Sequence, residues 1–279
     1  MKAFVALVFF IAATQATDWH NVHPRYSFKQ TANSVGKTNR IIGGEIASAG
    51  QFPFQAGLVL DGFAFCGGSL IKDDVVLTSA RCCINVGVFE VHLGAQNIYD
   101  LSEPNHVVHI TSDRAIHMYF NDYTLENDIC VVRMRQFVTG EGIAPVRLPS
   151  RSQVAETFDG EPSVTSGWGL SYDFAPNLSD ELRFVNVTVM SNSECSTYFG
   201  PNIVPCQMCI DTKFGSSGIC SGDSGGPLII TEDDGNVTQV ALSSFFSSAG
   251  CESGSPHGFT RLTCYLSWLE TYGGVTIRP

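Results

Sequence analysis

The sequence of 279 residues has little charge, and least of all positive charge: 15% of its residues are charged, with 16 Lys and Arg against 27 Asp and Glu. The formal net charge is −11, and because the first 40 residues contribute +4, residues 41–279 carry −15. A surface of that sign repels nucleic acid and anionic membranes, so neither is expected as a partner. Internal repeats and low-complexity segments are also absent. The apolar content of 44% predicts a sizeable packed core instead.

Long apolar runs are absent beyond the N-terminus. Lys2 precedes one apolar run, Ala3–Ala13, that is too short to span a bilayer, and the small residues Thr14 and Ala16 follow it. This pattern predicts a signal peptide over residues 1–16 and therefore a secreted, extracellular protein. The alternative is a buried N-terminal strand or anchor.

Ten cysteines, an even number, predict disulfide bonds in a secreted chain. Three Asn-X-Ser/Thr sequons are candidate glycosylation sites, at Asn177, Asn186 and Asn236. Apart from the spacing of Cys206 and Cys209, no group of His and Cys residues has the spacing of a metal site. The sequence therefore predicts no metal and no other cofactor.

Short apolar and β-branched runs favour β-structure from Phe52 onward. Gly, Pro, Asn and Asp separate the runs, as turns do in all-β sandwiches and barrels. The predicted strands cover 54–60, 75–79, 88–93, 107–111, 129–134, 184–190, 228–231 and 240–246. Leu262, Leu266 and Leu269 recur at helical spacing ahead of Gly273, which predicts a C-terminal helix.

The stretch Cys220–Pro227 places a serine among three glycines, in the order Cys-Ser-Gly-Asp-Ser-Gly-Gly-Pro. Glycine lets the backbone adopt unusual dihedral angles and expose its N–H groups. Such a turn can present the hydroxyl of Ser224 to a substrate while the N–H groups of Gly222 and Ser224 face a developing oxyanion. The stretch predicts a nucleophile if the rest of the chain supplies a base and an orienting acid.

The composition of the sequence changes at residue 41, from polar residues to apolar residues and glycine. Residues 17–40 are polar and without periodicity, and Arg40 is followed by Ile41-Ile42-Gly43-Gly44. Cleavage after Arg40 would create an α-ammonium group on Ile41 that is mostly charged at neutral pH and that a buried carboxylate could bind. We therefore predict a propeptide over 17–40 and one domain over 41–279; the alternative is an exposed linker that enters a strand.

Several separate motifs along residues 41–279 carry a resemblance to a known family. They are Ile41-Ile42-Gly43-Gly44, Cys66-Gly67-Gly68-Ser69-Leu70, Leu77-Thr78-Ser79-Ala80, Asn127-Asp128-Ile129, Gly167-Trp168-Gly169 and the Ser224 stretch. With them the chain resembles the chymotrypsin-like (trypsin-type) serine proteases. Three further segments are similar to the arthropod collagenase-like branch, the brachyurins: Leu93–Ile98, Val189–Cys195 and Gly250–Gly254.

The resemblance implies a fold and a mode of activation. An all-β fold of two six-stranded antiparallel β-barrels with a C-terminal helix would hold the active site in the cleft between the barrels. A trypsin-like protease would cut after Arg40, and the freed Ile41 ammonium would pair with Asp223. Asp128 and Ser224 would be members of the catalytic triad.

The resemblance also implies three disulfides, Cys66–Cys82, Cys195–Cys209 and Cys220–Cys251. Three pairings stay open for the other four cysteines, Cys83, Cys130, Cys206 and Cys264. Cys83 follows Arg81 by two residues, and Cys130 follows Asp128 by two. If Arg81 and Asp128 face each other, Cys83–Cys130 is the natural bond, which leaves Cys206–Cys264. The alternative is that one pair stays free.

One departure from the family bears directly on activity. Where the family carries a His as its general base, this chain reads Ser79-Ala80-Arg81-Cys82. A guanidinium keeps its proton at neutral pH and offers donors but no acceptor, so Arg81 cannot deprotonate Ser224. Two arrangements are open for Asp128. We favour an ion pair with Arg81 over a solvated carboxylate with Arg81 turned outward, because an unpaired buried carboxylate is costly.

No other histidine is expected to replace the missing base. Family placement puts none of five histidines on the base's side of Ser224, namely His92, His106, His109, His117 and His257. We expect them to be strand and loop residues without a catalytic role.

The primary specificity pocket also departs from the family. Gly218 stands at the pocket base, where a preference for basic residues requires a carboxylate. Phe246 replaces the Gly that leaves the pocket mouth open, and His257 stands where the brachyurins carry an Asp. These changes predict a pocket plugged by Phe246 with His257 at its floor; the alternative is that local loop shifts make room.

Three functional hypotheses follow. The first is a secreted, monomeric serine protease homologue without peptidase activity that binds a protein partner, such as a protease, a protease substrate or an inhibitor, through its cleft and loops. The second is a secreted endopeptidase of chymotrypsin- or collagenase-like specificity with weak or unusual catalysis. The third is an inert structural or storage protein. We favour the first, because the changes at Arg81 and in the pocket remove two separate requirements of catalysis.

Overall fold

The computed structural model describes residues 17–25 and 44–279. Short strands dominate it, built from apolar and β-branched residues that suit a pleated, half-buried surface. In chain order the strands are β1 (His23–Pro24), β2 (Glu45–Ile46), β3 (Gln55–Leu60), β4 (Ala64–Lys72), β5 (Val75–Thr78), β6 (Phe89–Leu93), β7 (Val107–Thr111), β8 (Arg114–Ile116), β9 (Cys130–Arg133), β10 (Pro162–Gly167), β11 (Arg183–Met190), β12 (Gln207–Asp211), β13 (Pro227–Thr231), β14 (Val237–Phe245) and β15 (His257–Arg261). The α-helices are α1 (Ala80–Cys83), α2 (Asn192–Phe199) and α3 (Leu266–Gly273).

The first barrel comes from the N-terminal half of the chain. Its antiparallel strands pair in the order β7-β6-β3-β4-β5-β9-β8. Only Ser112 and Asp113 separate β7 from β8. This bent segment therefore pairs with β6 at one end and with β9 at the other, and so closes a six-stranded barrel. Fully buried side chains such as Leu58, Phe65 and Phe89 fill its interior.

The second barrel closes on itself. Its strands pair in the order β10-β13-β14-β15-β12-β11, and a further antiparallel pairing joins β11 back to β10. Strand β2 is added outside this ring, against β11. Helix α3 then returns to the first barrel, where its buried Leu266 and Leu269 join the core. The prediction of an all-β fold with two barrels and a C-terminal helix is confirmed.

The pattern of apolar runs does not predict every element. It misses β1, β2, β4, β8, β10, β12, β15 and the helices α1 and α2. Strand β4 contains Gly68, whose poor β propensity is overridden by packing, because a Cβ there would lie 2.9 Å from Val76 Cγ1. Helix α2 begins after Ser191, whose hydroxyl accepts a hydrogen bond from the Glu194 backbone N–H (3.2 Å). The Ser-x-x-Glu spacing is the signal that predicts this helix start.

The ten cysteines form five disulfides in the structure. The pairs are Cys66–Cys82, Cys83–Cys130, Cys195–Cys209, Cys206–Cys264 and Cys220–Cys251. Adjacent cysteines of α1 are bonded to different strands, Cys82 to β4 and Cys83 to β9. Arg81, which precedes them, is therefore held at a fixed place beside the cleft.

The predicted processing sites fall outside the described residues. The signal peptide over 1–16, Arg40 and Ile41 all lie there, and the domain boundaries stay predictions. Residues 17–25 of the predicted propeptide are described and lie on the first barrel, where β1 pairs in parallel with β4. Within residues 17–25 and 44–279, the helices are too short or too polar to cross a bilayer.

Buried polar side chains join the two barrels. The Ser69 hydroxyl donates to Gln239 Oε1 (2.7 Å), and the Ser166 hydroxyl donates to Gln55 Oε1 (2.6 Å). Gln239 Nε2 donates in turn to the Ala241 carbonyl (3.1 Å). Both bonds between hydroxyl and amide cross from one barrel to the other. A relative shift of the barrels would leave buried polar groups unsatisfied, so these bonds fix how the two halves of the cleft face each other.

Replacing Gln239 by Leu should destabilise the protein by about 1–3 kcal/mol, because the buried Ser69 hydroxyl loses its acceptor. The double variant Ser69→Ala with Gln239→Leu should lose less than the sum of the two single variants, since it leaves neither partner unsatisfied. Guanidinium unfolding with the disulfides oxidised measures both effects. Gln51→Leu is the matched control because Gln51 is exposed. Additive losses in the double variant would contradict the assigned role of this bond.

Candidate active site

The turn that leads into β13 presents Ser224. Gly222 has φ +101°, and a Cβ at that position would lie 2.8 Å from Leu178 Cδ2, so both its conformation and its surroundings require glycine. The Ser224 carbonyl accepts from the Gly67 N–H (2.9 Å), which ties the turn to the first barrel. The Gly226 N–H donates to the Asp223 carbonyl (2.9 Å). The turn is thus rigid around a serine that remains 9% exposed.

Asp128 is fully buried just ahead of β9. Its carboxylate accepts from the Ser244 hydroxyl (2.6 Å) and from the backbone N–H of Arg81 (2.9 Å). Its own carbonyl accepts from the Thr260 hydroxyl (2.9 Å). Burial raises the pKa of Asp128 to about 6, against the lowering effect of these hydrogen bonds and of the Arg81 charge. Nothing in the sequence predicts that Ser244 supports this carboxylate.

Arg81 occupies α1, next to Asp128. Its guanidinium Nη1 donates to the Ser244 carbonyl (3.2 Å), while only its backbone N–H bonds to the Asp128 carboxylate. Among the described residues no ion pair joins the Arg81 guanidinium to Asp128. The favoured ion pair is therefore wrong, and so is the solvated alternative, because Asp128 is 0% exposed. The reason is that Ser244 and backbone N–H groups already satisfy the carboxylate.

Among the described residues, no histidine is hydrogen-bonded to Ser224. His92 is buried in β6, with its Nδ1 at 2.9 Å from His106 Nε2, and burial lowers the pKa of His92 to about 3. His117 packs against Trp268, with ring centroids 5.6 Å apart. His109 lies in β7 of the first barrel. That Arg81 stands at the position of the base stays a prediction from the family resemblance.

His257, the predicted floor of the specificity pocket, lies in β15. His257 is fully buried, its Nδ1 accepts from the Ile219 N–H (3.0 Å), and its Nε2 lies 3.1 Å from the Cys251 carbonyl. Nδ1 is therefore unprotonated and Nε2 carries the proton that is donated to Cys251. Burial lowers the pKa of His257 to about 4, which keeps the ring neutral at physiological pH. A Cβ on Gly218 would lie only 2.5 Å from Nδ1, so Gly218 leaves room for the imidazole.

Phe246 covers this floor. Its ring centroid lies 5.7 Å from that of His257, and the side chain packs against both the core of the second barrel and the cluster around the Cys220–Cys251 disulfide. The two rings are thus in contact where the plugged pocket is predicted, and the plug itself stays a prediction.

Asp223 is the second buried carboxylate of the site. It is 2% exposed and accepts from the backbone N–H groups of Gly169 (2.8 Å) and Cys220 (2.9 Å). Burial raises the pKa of Asp223 to about 6, and the two hydrogen bonds oppose this effect. Ile41, its expected partner, lies outside the described residues.

The other predicted sites are surface features or disulfides. Asn177, Asn186 and Asn236 are all exposed, and their glycosylation stays a prediction. Among the described residues, one group of potential metal ligands comes together, formed by Asp173 with Cys220 and Cys251. The two cysteines share a disulfide, so they offer no thiolate to a metal.

The sequence profile of the Trypsin family matches residues 41–269. The chain belongs to this family of chymotrypsin-like serine proteases. Brachyurin from Leptuca pugilator is 40% identical over 237 residues, which cover 85% of this chain and all of that one. Collagenase from Hypoderma lineatum is 34% identical over 281 residues, or 99% of each chain. A solved structure described as HL collagenase matches with a TM-score of 0.76 and 33% identity, over 85% of this chain and all of that one.

Membership of the Trypsin family confirms the predicted resemblance to the serine proteases and to their arthropod collagenase-like branch. The names of these relatives are those of proteases. At the level of the family, the comparisons therefore favour the endopeptidase hypothesis over an inactive homologue.

The two buried carboxylates predict that the uncleaved precursor becomes less stable as the pH rises. The pKa of Asp223 is raised to about 6 in the folded state from 3.8, so its contribution is fully present below about pH 4 and is lost as the pH rises through 6. Between pH 4 and pH 7, the Asp223→Asn variant should lose about 2–3 kcal/mol less unfolding free energy than the unmodified precursor.

Denaturant unfolding at a series of pH values measures this difference, with exposed Asp122→Asn as the control. Asp128→Asn should flatten the profile in the same direction, because the pKa of Asp128 is raised to a similar value. A pH profile that Asp223→Asn leaves unchanged would show that burial does not disfavour the ionised carboxylate.

Proposed function

We propose that this member of the Trypsin family is a secreted protease homologue without peptidase activity that acts by binding a protein partner through its cleft. The observation that carries the proposal is Arg81 in α1, at the place where the triad requires a proton acceptor. A guanidinium keeps its proton at any physiological pH, and this one is directed to the Ser244 carbonyl. Ser224 therefore has a rigid turn and a nearby acid but no base.

The expected size of the loss in turnover favours an inactive protein over a modestly impaired enzyme. In a comparable triad, removal of the His costs roughly a millionfold in turnover, which leaves about 10³–10⁴ over the uncatalysed reaction from the oxyanion donors and binding. The filled pocket would add a loss of substrate binding to this loss of chemistry. The contact between the Phe246 and His257 rings supports a pocket that a substrate side chain cannot enter. A cleft whose walls are kept but whose general base is absent suits binding of a protease, a protease substrate or an inhibitor.

We also propose that the chain is made as a precursor with a signal peptide over 1–16 and a propeptide over 17–40, cut after Arg40 by a trypsin-like protease. The state of Asp223 supports this: among the described residues its partners are two backbone N–H groups, and burial raises its pKa. An ammonium group on Ile41 would stabilise the ionised carboxylate. Cleavage would then act as a conformational signal without creating activity. Five disulfides and three exposed sequons support secretion.

A weak or unusual endopeptidase is the second candidate. Two observations favour it: the names of the relatives, and the intact turn in which Gly222 and Ser224 can present their N–H groups to an oxyanion. Proton transfer would then have to come from the substrate or from water, because Arg81 cannot accept a proton.

A serine-directed fluorophosphonate probe separates these two candidates. After cleavage at Arg40, the protein should show no labelling under conditions that label the Arg81→His variant, because Ser224 lacks a base. Fluorescence of the protein band on a denaturing gel measures the labelling, and Ser224→Ala is the control for the modified residue. Robust labelling that disappears in Ser224→Ala would overturn the proposal in favour of the endopeptidase.

Restoring the base should restore activity if the remaining machinery is intact. Arg81→His should raise the rate of peptide ester hydrolysis by several orders of magnitude, in line with the roughly millionfold effect of this residue in a comparable triad. If Arg81→His alone stays inactive while Arg81→His with Phe246→Gly is active, the pocket is blocked as the structure indicates. Hydrolysis by the unmodified protein at the rate of the Arg81→His variant would contradict the role given to Arg81.

A further inference from the structure

The N-terminal segment Thr17–Arg25 occupies a groove on the first barrel. Strand β5 pairs only with residues 69–72 of β4, so Ala64 and Phe65 at the start of β4 have an open edge on that side. Strand β1 fills this edge as a short parallel strand, with His23 opposite Ala64. The His23 N–H donates to the Phe63 carbonyl, and the Arg25 N–H donates to the Phe65 carbonyl (both 2.9 Å). The segment thus completes a sheet edge that would otherwise be unpaired.

Trp19 anchors the segment beside this strand. Its ring contacts Tyr99 edge-on, with centroids 4.9 Å apart, and also contacts His92 (5.4 Å) and Phe65 (6.4 Å). Val22, from the same segment, is 7% exposed and belongs to the main core cluster. A half-buried Trp ring and a buried Val side chain are the kind of anchor that dominates binding between separate chains.

Polar contacts hold both ends of the segment. The Thr17 hydroxyl contacts the Glu90 carboxylate, and Arg25 Nη2 donates to the Ile84 carbonyl (2.8 Å). Ile84 caps the C-terminus of α1, the helix that carries Arg81. The segment therefore reaches from strand β6 to helix α1, which carries Arg81. No cysteine lies in residues 17–40, so a disulfide cannot tie this segment to the barrel.

We propose that the fragment beginning at Thr17 stays bound to the first barrel after cleavage at the Arg40–Ile41 bond, so that the mature protein consists of two non-covalently associated chains. This inference rests on the proposed cleavage. The Ile41 terminus is expected to move to Asp223, whereas residues 17–25 already have their own site on the barrel. If the signal peptide is removed after Ala16, the new ammonium of Thr17 lies close to the Glu90 carboxylate that its hydroxyl contacts. The groove is then a binding site whose ligand is a Trp-bearing peptide from the same precursor.

The test uses the full precursor with an enteropeptidase recognition sequence inserted directly before Ile41, so that the cut does not depend on Arg40. The cleaved protein is passed over a size-exclusion column without denaturant at micromolar concentration, and mass spectrometry identifies the peptides in the protein peak. A fragment that begins at Thr17 should co-elute in roughly equal amount with the chain that begins at Ile41. Elution of that fragment with small molecules would overturn the inference.

Variants at Trp19 show which contacts hold the fragment. Trp19→Ala should lower the retained fragment at least about tenfold, because it removes the central anchor. Trp19→Phe should retain it, since the ring contact is kept and the indole N–H has no partner among the described residues. His20→Ala is the control, because His20 is exposed. Equal loss in all three variants would contradict an anchor at Trp19.

Cleavage of the unmodified precursor by trypsin, followed by N-terminal sequencing, tests the proposed function separately. A chain that begins at Ile41 supports the cut after Arg40, whether or not the fragment is retained. Absence of that terminus, together with retention after the enteropeptidase cut, would overturn the processing proposal and leave the peptide-binding groove intact.

Discussion

The buried carboxylate of Asp128 is the constraint on which the cleft depends. It lies ahead of β9 in the first barrel and is bound by the hydroxyl of Ser244, from β14 of the second barrel. A fully buried carboxylate has to have its acceptors satisfied, so the two barrels are held in the register that this bond requires. The bonds from Ser69 to Gln239 and from Ser166 to Gln55 reinforce the same register.

The buried Asp128 carboxylate explains how Arg81 can be accommodated at its position in a chain whose relatives are named as proteases. The Asp128 carboxylate binds the backbone N–H of residue 81, and any residue except proline supplies that group. The guanidinium of Arg81 donates to a different acceptor, the Ser244 carbonyl. Arginine at position 81 therefore leaves the hydrogen bonds of the carboxylate in place. The fold does not need an imidazole there, and the solved structure described as HL collagenase matches it with a TM-score of 0.76.

Much of the fold could be predicted from the sequence, because the strands with regular apolar runs, such as β7, follow local rules. Strand β4 could not be predicted in this way. Its Gly67 and Gly68 are required by close contacts with Gly226 and Val76, which are distant in sequence. The position of the Arg81 side chain could not be predicted from the sequence either. Charge complementarity favoured an ion pair with Asp128, but the structure satisfies that carboxylate with a hydroxyl and backbone N–H groups, none of which carries a sequence signal. The approach of His257 to Gly218 also depends on contacts between distant segments.

The residues around His257 bear on substrate binding, whereas residue 81 bears on proton transfer. His257 is fully buried and neutral, since Ile219 donates to one of its nitrogens and the Cys251 carbonyl accepts from the other. A neutral ring whose two nitrogens are both satisfied has no capacity left to bind a charged substrate group, and Phe246 covers it from above. A histidine restored at position 81 would repair the chemistry but not this floor. The two changes act on different steps, one on proton transfer and the other on substrate binding. A role in which neither step is needed accounts for both changes at once, and binding of a protein partner along the rim of the cleft is such a role.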